Sequence, residues 1–218
     1  MRQPILWLSL LIIGVCVLPA FAEESEKSIE DMLRGAKAGM PFRDFVEAHP
    51  EAVYSDEALR ETAVSKDAPG ALLIVHTEDP FLGLYSFANF GFKEGKLYEL
   101  VAVWSGEAGD IRGKCAAFLS SVMKRHGKDY TRKSIRVFPN SKEERPVAVF
   151  YWEKDHVASL AFFTPPPADA PSGPGTLTYA QFAKDAAFLK DIFVTTPTSE
   201  EQHDQAWKDM AEITDALK

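Results

Sequence analysis

Cysteine is scarce in this chain, which contains only Cys16 and Cys115 among 218 residues. Because Cys16 lies in an apolar leader, Cys115 is the single thiol of the segment that follows, and an intramolecular disulfide is excluded there. Asparagine is equally rare, and neither Asn89 nor Asn140 begins an N-x-S/T glycosylation site. A chain of this length can nevertheless fold on its hydrophobic core alone.

Long apolar runs are also lacking, apart from the run between Ile5 and Leu18. Arg2 precedes this run, and small residues at Ala20 and Ala22 follow it, which is typical of a secretory signal peptide cleaved after Ala22. The run is shorter than the roughly 20 residues of a membrane-spanning helix. We therefore predict that residues 1–22 are a signal peptide. The short leader, with no disulfide and no glycosylation site, favours a periplasmic or secreted protein of a bacterium.

An alternative interpretation of the leader is a lipoprotein signal, in which Cys16 would carry the lipid. The apolar run before Cys16 has a suitable length, but Val15 stands where the lipoprotein peptidase normally requires Gly, Ala or Ser. Membrane association is expected only if Cys16 is lipidated.

Positive charge is in deficit. Once Arg2 is removed with the leader, 23 basic residues face 32 acidic ones, so the formal charge is −9. The densest basic stretch, between Lys124 and Lys133, resembles the solvated end of a helix. Because a net-acidic surface repels phosphate backbones, no nucleic-acid partner is predicted.

The hydrophobic spacing predicts a helix followed by an antiparallel meander, twice. Helices are expected from Ser28, from Pro41 (with Phe42, Phe45 and Val46 inward) and over 110–126; strands are expected over 71–76, 84–92, 97–104, 135–138, 147–152 and 157–163. In the strand over 97–104, alternation places Tyr98, Leu100, Ala102 and Trp104 on one face. This pattern predicts an α+β domain over residues 23–163, with helices packed on an antiparallel meander sheet.

A proline-rich segment follows this predicted domain. Residues 164–176 contain five prolines and are predicted to be a linker. Residues 177–218 are predicted to form a C-terminal helical hairpin, because Thr178 and Ser199 each begin a capping box and apolar residues continue at helical spacing. The apolar faces of this hairpin are expected either to pack back on the sheet or to bind another protein.

Residues with catalytic chemistry form no recognisable constellation in the sequence. Cys115 lies on the apolar stripe of a predicted helix, which is typical of a buried structural thiol. The five histidines (His49, His76, His126, His156 and His203) include no pair with the i, i+4 spacing of a zinc site, and no G-x-S-x-G or phosphate-binding glycine loop occurs. We therefore assign no catalytic, cofactor-binding or metal-binding residue, and the binding residues stay unassigned.

Aromatic residues are concentrated in the predicted meander strands. The set consists of Phe81, Tyr85, Phe87, Phe90, Phe92, Tyr98 and Trp104, with Tyr151 and Trp152 in a later strand. These side chains are expected either to form the sheet core that faces the helices or to line a concave groove for an apolar ligand or a peptide.

Two short motifs resemble known periplasmic domains. The sequence Gly39-Met-Pro41, followed by Phe45-Val46 and Pro50, resembles the opening helix of SmpA-type domains of outer-membrane assembly lipoproteins. The segment 92–98, with residues 125–128 and Tyr151-Trp152, resembles β-lactamase-inhibitor-protein-like domains, in which helices pack on a meander. The resemblance covers residues 29–163 at the level of the fold and implies a non-catalytic, partner-binding module.

Three functional hypotheses follow from the sequence. The first is an exported, non-catalytic binding or assembly protein that contacts its partner through the sheet face or the C-terminal hairpin. The second is a carrier of a small apolar ligand in an aromatic groove. The third is a hydrolase of unrecognised type around His76, His126 or His156.

Overall fold

One antiparallel sheet organises the molecule. The computed structural model describes residues 29–50, 52–54, 72–77, 82, 84–137, 144–166, 170–184, 193, 197–215 and 217; the predicted signal peptide lies outside these residues. The strands are β1 (Val53–Tyr54), β2 (Leu72–Thr77), β3 (Tyr85–Lys93), β4 (Lys96–Glu107), β5 (Thr131–Val137), β6 (Arg145–Lys154), β7 (Val157–Thr164) and β8 (Pro174–Ala183). Their order across the sheet is β1-β2-β3-β4-β8-β7-β6-β5.

The sheet consists of two four-stranded meanders that meet at its centre. Strands β1–β4 form one meander and β5–β8 the other, and the last strands of the two, β4 and β8, pair with each other. Helix α2 (Phe42–Ala48) precedes the first meander and α3 (Ala108–His126) precedes the second. The predicted α+β class and the repeated order of helix and meander are therefore confirmed.

The hairpin between β3 and β4 contains a tight turn and a β-bulge. Glu94 and Gly95 in the turn both have positive φ, of 54° and 69°, as a two-residue hairpin turn requires. Phe92 pairs with Leu97 but Gly91 pairs with Glu99, so Tyr98 is the additional residue of a bulge. The prediction that Tyr98 shares a face with Leu100 is wrong, because the bulge turns Tyr98 to the opposite face.

Helix α3 supplies the largest helical contribution to the core. Its buried stripe consists of Ile111, Cys115, Phe118, Leu119, Val122 and Met123, as the spacing predicts. The helix begins after Glu107, slightly before the predicted cap at Asp110, and it ends at Gly127, whose φ is 89°. A positive φ favours glycine, so Gly127 ends the helix as predicted.

Two short helices cover one end of the first meander. Helix α1 (Ile29–Leu33) is fixed to α3, because the Ile29 backbone N–H donates to the Ser121 hydroxyl at 3.0 Å. In α2, Phe42 and Phe45 are buried as predicted. The inward prediction for Val46 is wrong: this residue is 37% exposed on the outer side of the helix.

The helix predicted from Thr178 is wrong for residues 178–183, which belong to strand β8. Residues 174–176 of the predicted linker also lie in β8, and residue 164 ends β7, so this segment connects two neighbouring strands of one sheet rather than two domains. Tyr179 and Phe182, which a helix would place on one side, lie on opposite faces of the sheet. A chain truncated after residue 164 would therefore lack β8, the strand that joins the two meanders.

The C-terminal helices pack back on the sheet, which confirms the second half of the predicted hairpin. These are α4 (Glu200–Asp209), with the predicted capping box at Ser199, and α5 (Ala211–Asp215). Trp207 of α4 packs edge-on against Phe150 of β6, and its indole N–H donates to the Lys133 carbonyl at 3.0 Å. Met210 and Ile213 are buried in the same cluster.

Apolar side chains are buried on both faces of the sheet. The helix face carries the larger cluster, which includes Trp104, Tyr179 and Phe150 and receives helices α1–α5. The opposite face, called the second face below, carries a smaller cluster: Ile135, Val147, Val149, Ala158, Leu160, Ala180 and Phe182. Phe193 packs against this smaller cluster.

Replacing Trp207 by Ala is expected to lower the free energy of unfolding by about 3 kcal/mol, because a large, 7% exposed side chain and one hydrogen bond are lost. The neighbouring exposed Lys208→Ala should change it by less than about 0.5 kcal/mol. Urea unfolding followed by circular dichroism measures both. Equal stability of the Trp207→Ala variant and the wild type would mean that α4 does not pack on the sheet in solution.

Candidate functional site

The single thiol in the described chain is enclosed in the core. Cys115 is fully buried on the inner side of α3, and burial raises the pKa of its thiol to about 12, against a smaller opposing effect of Arg112. A thiol with so high a pKa is protonated at neutral pH and is a poor nucleophile. The prediction that Cys115 is structural agrees with this position.

His126 belongs to a polar network between α3 and the centre of the sheet. Its Nε2 atom lies 2.8 Å from the Tyr179 hydroxyl. Gln181 completes the network, because its amide donates to Ser159 and its carbonyl accepts from the Ala38 N–H at 2.7 Å. Burial, with a smaller contribution from Arg125, lowers the pKa of His126 to about 4. The neutral imidazole therefore holds the end of α3 on β8.

Two further histidines make defined contacts. His49 is buried, stacks on Phe45 and hydrogen-bonds the Leu33 carbonyl through Nε2 at 3.0 Å. His203 of α4 lies with its Nδ1 atom 2.8 Å from the hydroxyl of Ser134 on β5. These contacts join separate elements of the fold.

The Ser134–His203 pair is the arrangement closest to a catalytic one in the described residues. Ser134 is only 9% exposed, and its hydroxyl lies between His203 and Thr198, whose Oγ1 atom is 2.5 Å away. Among the described residues, no carboxylate accepts a hydrogen bond from the His203 ring. The Ser134–His203 contact joins β5 to α4.

The histidines of the hydrolase hypothesis occupy different environments. His126 is half-buried and lies 2.8 Å from the Tyr179 hydroxyl, whereas His156 is exposed in the turn between β6 and β7. His76 lies in β2, and its side chain is outside the described residues. Across the described ranges, no group of three His, Cys, Asp or Glu side chains could hold a metal ion, and no helix is long and apolar enough to cross a membrane.

The aromatic residues predicted to line one groove are divided between the two faces. Phe90, Phe92, Trp104 and Trp152 are buried on the helix face, whereas Tyr98 and Tyr151 lie on the second face. Phe81 and the side chain of Tyr85 are outside the described residues. The core interpretation thus accounts for four of these residues, whereas Tyr98, Tyr151 and Phe87, which pairs with Val103, lie on the second face.

The second face carries rows of half-buried apolar side chains that run across the strands. Strand pairing places Phe87 beside Val103, Val103 beside Thr178 and Thr178 beside Phe162. The next row contains Asn89, Val101, Ala180, Leu160 and Tyr151. Side chains on β3, β4 and β7 in these rows (Phe87, Val101, Val103 and Phe162) are only half-buried. Below, the term apolar rows refers to these four half-buried residues only.

Charged side chains border the apolar rows. Lys93 lies 5.0 Å from the centre of the Tyr98 ring, and Lys133 lies 4.4 Å from that of Tyr151. The Tyr151 hydroxyl donates to Glu153, which also pairs with Lys184 at 2.8 Å. Burial, followed by the contact with Glu153, raises the pKa of Tyr151 to about 12. At this border, the rings of Tyr98 and Tyr151 thus lie beside charged lysine and glutamate side chains.

Glu99 is the acidic residue of the second face that sequence reasoning missed. It lies on β4 opposite Phe182, in the row next to Val101, and burial raises the pKa of its carboxyl group. The alternation of the strand alone did not single it out. Its position depends on the bulge at Tyr98, for which the sequence carries no specific signal.

Comparisons of this chain with protein-family models, curated proteins and solved structures find no match. The resemblance of residues 29–163 to SmpA-type and β-lactamase-inhibitor-protein-like domains therefore stays a prediction.

The stability of the fold should depend on pH through His126. Its pKa is about 4 in the folded chain against 6.5 for a free side chain, so the unfolded state binds a proton first as the pH falls. The stabilisation is complete above about pH 6.5 and declines towards pH 4. Urea unfolding should give a loss on the order of 2 kcal/mol from this residue over that range.

The variants His126→Gln and His156→Gln test this pH dependence. His126→Gln should remove that part of the slope, whereas His156→Gln, in the exposed turn, should leave it unchanged. A wild-type slope retained in His126→Gln would contradict the assignment of the pH dependence to His126.

Proposed function

We propose that this protein is an exported, non-catalytic binding or assembly protein that contacts a partner protein through the second face of its sheet. The observation that carries this proposal is the set of apolar rows on the face opposite to helices α1–α5. A contiguous group of partly exposed apolar side chains is a candidate interaction surface. The short resemblance to SmpA-type domains supports the same class of function.

The residues with reactive groups also favour binding over catalysis. Cys115 is a protonated thiol in the core, His126 is held neutral by burial, and Ser134 is enclosed by α4. Each of these groups has a structural contact that explains its position. Of the three histidines in the hydrolase hypothesis, His126 thus has a structural contact that accounts for its position.

The C-terminal helices offer a partner only their outer, polar side. Trp207, Met210 and Ile213, the apolar residues of this segment, are buried against the sheet. A shallow depression on the outer side of α4 is lined by Glu200, Glu201, Asp204 and Lys208 with Ser199 and Gln205. This charged surface suits neither an apolar ligand nor the apolar contact that was predicted for the hairpin. We therefore favour the second face of the sheet as the surface that binds the partner.

Photo-crosslinking in the producing cells tests the binding face. Benzoylphenylalanine at Phe87 or at Val103 should give a discrete adduct with one partner, because both side chains belong to the apolar rows. The matched control is the same residue at Asp129, which is exposed in the loop after α3. Adducts from none of the sites, or equally from Asp129, would contradict the proposal.

Native mass spectrometry of the protein purified from these cells distinguishes a carrier of a small ligand from a protein-binding module. A carrier would retain a small apolar molecule at a fixed stoichiometry, whereas a protein-binding module is expected at the mass of the chain alone. A retained ligand that Val103→Asp removes would favour the carrier.

We further propose that export depends on residues 1–22, since their charge, apolar length and terminal small residues match a signal peptide. Expression of the full chain in a Gram-negative bacterium should give a mature protein that begins at Glu23 in the periplasmic fraction. Ala22→Arg should leave the precursor uncleaved, and Cys16→Ser should cleave normally and incorporate no less palmitate than the wild type. Recovery of the intact chain with Met1 from the cytosol would contradict export.

A further inference from the structure

Strand β5 forms a long outer edge of the sheet. It pairs with β6 along all seven of its residues, and no described strand pairs with its other side. At the opposite edge, β1 contains only two residues. The free backbone groups of an edge strand can pair with another chain, and proteins limit this pairing by short edge strands, by charged side chains or by covering the edge. Because β5 is not short, its edge requires another form of protection.

The C-terminal segment changes from one face of the sheet to the other beside β5. We give this name to the described residues from Phe193 onwards. Phe193 packs on the second face, where the Lys133 ammonium group lies 4.5 Å from the centre of its ring. Thr198 lies on the helix face, with its Oγ1 atom 2.5 Å from the Ser134 hydroxyl. Five residues span at most about 18 Å, so the chain changes face beside the middle of this edge strand. Another strand could lie next to Lys133 and Ser134 only after the C-terminal segment had moved.

Three consecutive residues of β5 hold this segment in place. The Arg132 guanidinium group lies 4.8 Å from the centre of the Trp207 ring. The Lys133 carbonyl accepts a hydrogen bond from the indole N–H of Trp207 at 3.0 Å. The Ser134 hydroxyl contacts His203 as well as the Thr198 hydroxyl. A backbone carbonyl of the edge strand is thus already bonded within the chain, and neighbouring side chains fix α4 beside it.

The basic side chains of β5 also oppose pairing with a second copy. Arg132, Lys133 and Arg136 all lie on this strand, although the chain has a formal charge of −8. Two of them lie over rings of the C-terminal segment, Arg132 over Trp207 and Lys133 over Phe193. Antiparallel pairing of β5 with β5 of another copy would bring these positive charges together, which is unfavourable. The charges and the covering segment therefore act in the same direction.

We infer that the C-terminal segment covers the β5 edge and thereby prevents a second copy of this chain from adding its β5 to the sheet. Release of α4 would expose the backbone edge together with the rings that Trp207 covers, those of Tyr130 and Phe150. Both changes favour association between copies. The inference is independent of the proposed function, because no residue of the apolar rows contributes to it.

Hydrogen–deuterium exchange of the purified protein, followed by mass spectrometry, tests whether the segment covers β5. Trp207→Ala removes the ring and the indole donor, so residues 131–137 should exchange on the order of a hundredfold faster than in the wild type. Trp207→Phe combined with Ser134→Ala keeps a ring but removes the hydrogen bonds, and it should accelerate exchange about tenfold. The control Phe45→Ala removes a fully buried ring of α2 and should leave the exchange of β5 within about threefold of the wild type.

Size-exclusion chromatography with light scattering tests the consequence for association. At rising protein concentration, Trp207→Ala and the double variant should form larger species than the wild type, whereas Phe45→Ala should not. In these species residues 131–137 should again exchange slowly, because a strand of another copy covers them. Added salt should increase their amount, since it screens the like charges on β5.

Four outcomes would overturn the inference. These are unchanged exchange of β5 in both variants, faster exchange without any larger species, larger species in which β5 still exchanges rapidly, and equal association of Phe45→Ala. The double variant keeps the test decisive if Trp207→Ala does not fold.

Discussion

The antiparallel pairing of β4 with β8 is the interaction on which the whole structure depends. It joins two meanders that are separated in the chain by α3, and it brings residues about 80 positions apart into register, such as Ala102 and Tyr179. Such long-range pairing is entropically costly, so side-chain burial on both faces must stabilise it. Ala102 and Tyr179 meet on the helix face, and Val101 and Ala180 meet on the second face. The centre of the sheet thus carries apolar side chains on both of its faces.

The polar residues of β8 connect this central pairing to the helices. Gln181 accepts from the Ala38 backbone, and the Tyr179 hydroxyl lies against His126 at the end of α3. Arg125, the neighbour of His126, donates to the Ala36 carbonyl and pairs with Glu30. These contacts fasten the N-terminal segment and α3 to the same strand. Because buried polar groups are stable only with partners, the network specifies one arrangement of the helices on the sheet.

The sequence predicted the elements that rely on local signals and missed those that rely on the sheet. Helix α3 has a continuous apolar stripe with a terminal glycine, and the β3–β4 turn has Gly95, so both could be predicted from local residues. Strand β8 could not be predicted in this way. Thr178 and Gln181 match the sequence pattern of a capping box, and Tyr179 and Phe182 have the spacing of three that is typical of a helix. The alternation of Thr176, Thr178 and Ala180 with Leu177 and Tyr179 was the contrary signal. Its meaning depends on pairing with β4 and β7 on either side. The same difference holds for the candidate site. The burial of Cys115 could be predicted from the apolar stripe of its helix, whereas the face on which Glu99 lies depends on a bulge that is visible only in the strand register.

The two faces of the sheet differ in a way that bears on function. The helix face is completed by the chain itself, since α3 and the C-terminal helices bury Trp104, Phe150 and Tyr179. On the second face the seven buried residues lie mostly on β6, β7 and β8, with Phe193 beside them, and burial decreases towards β3 and β4. The half-buried residues Phe87, Val101 and Val103 therefore continue a core that is already formed next to them. A partner that covered them would extend an existing apolar layer, and its cost in ordered side chains would be small because β-strand residues are already fixed.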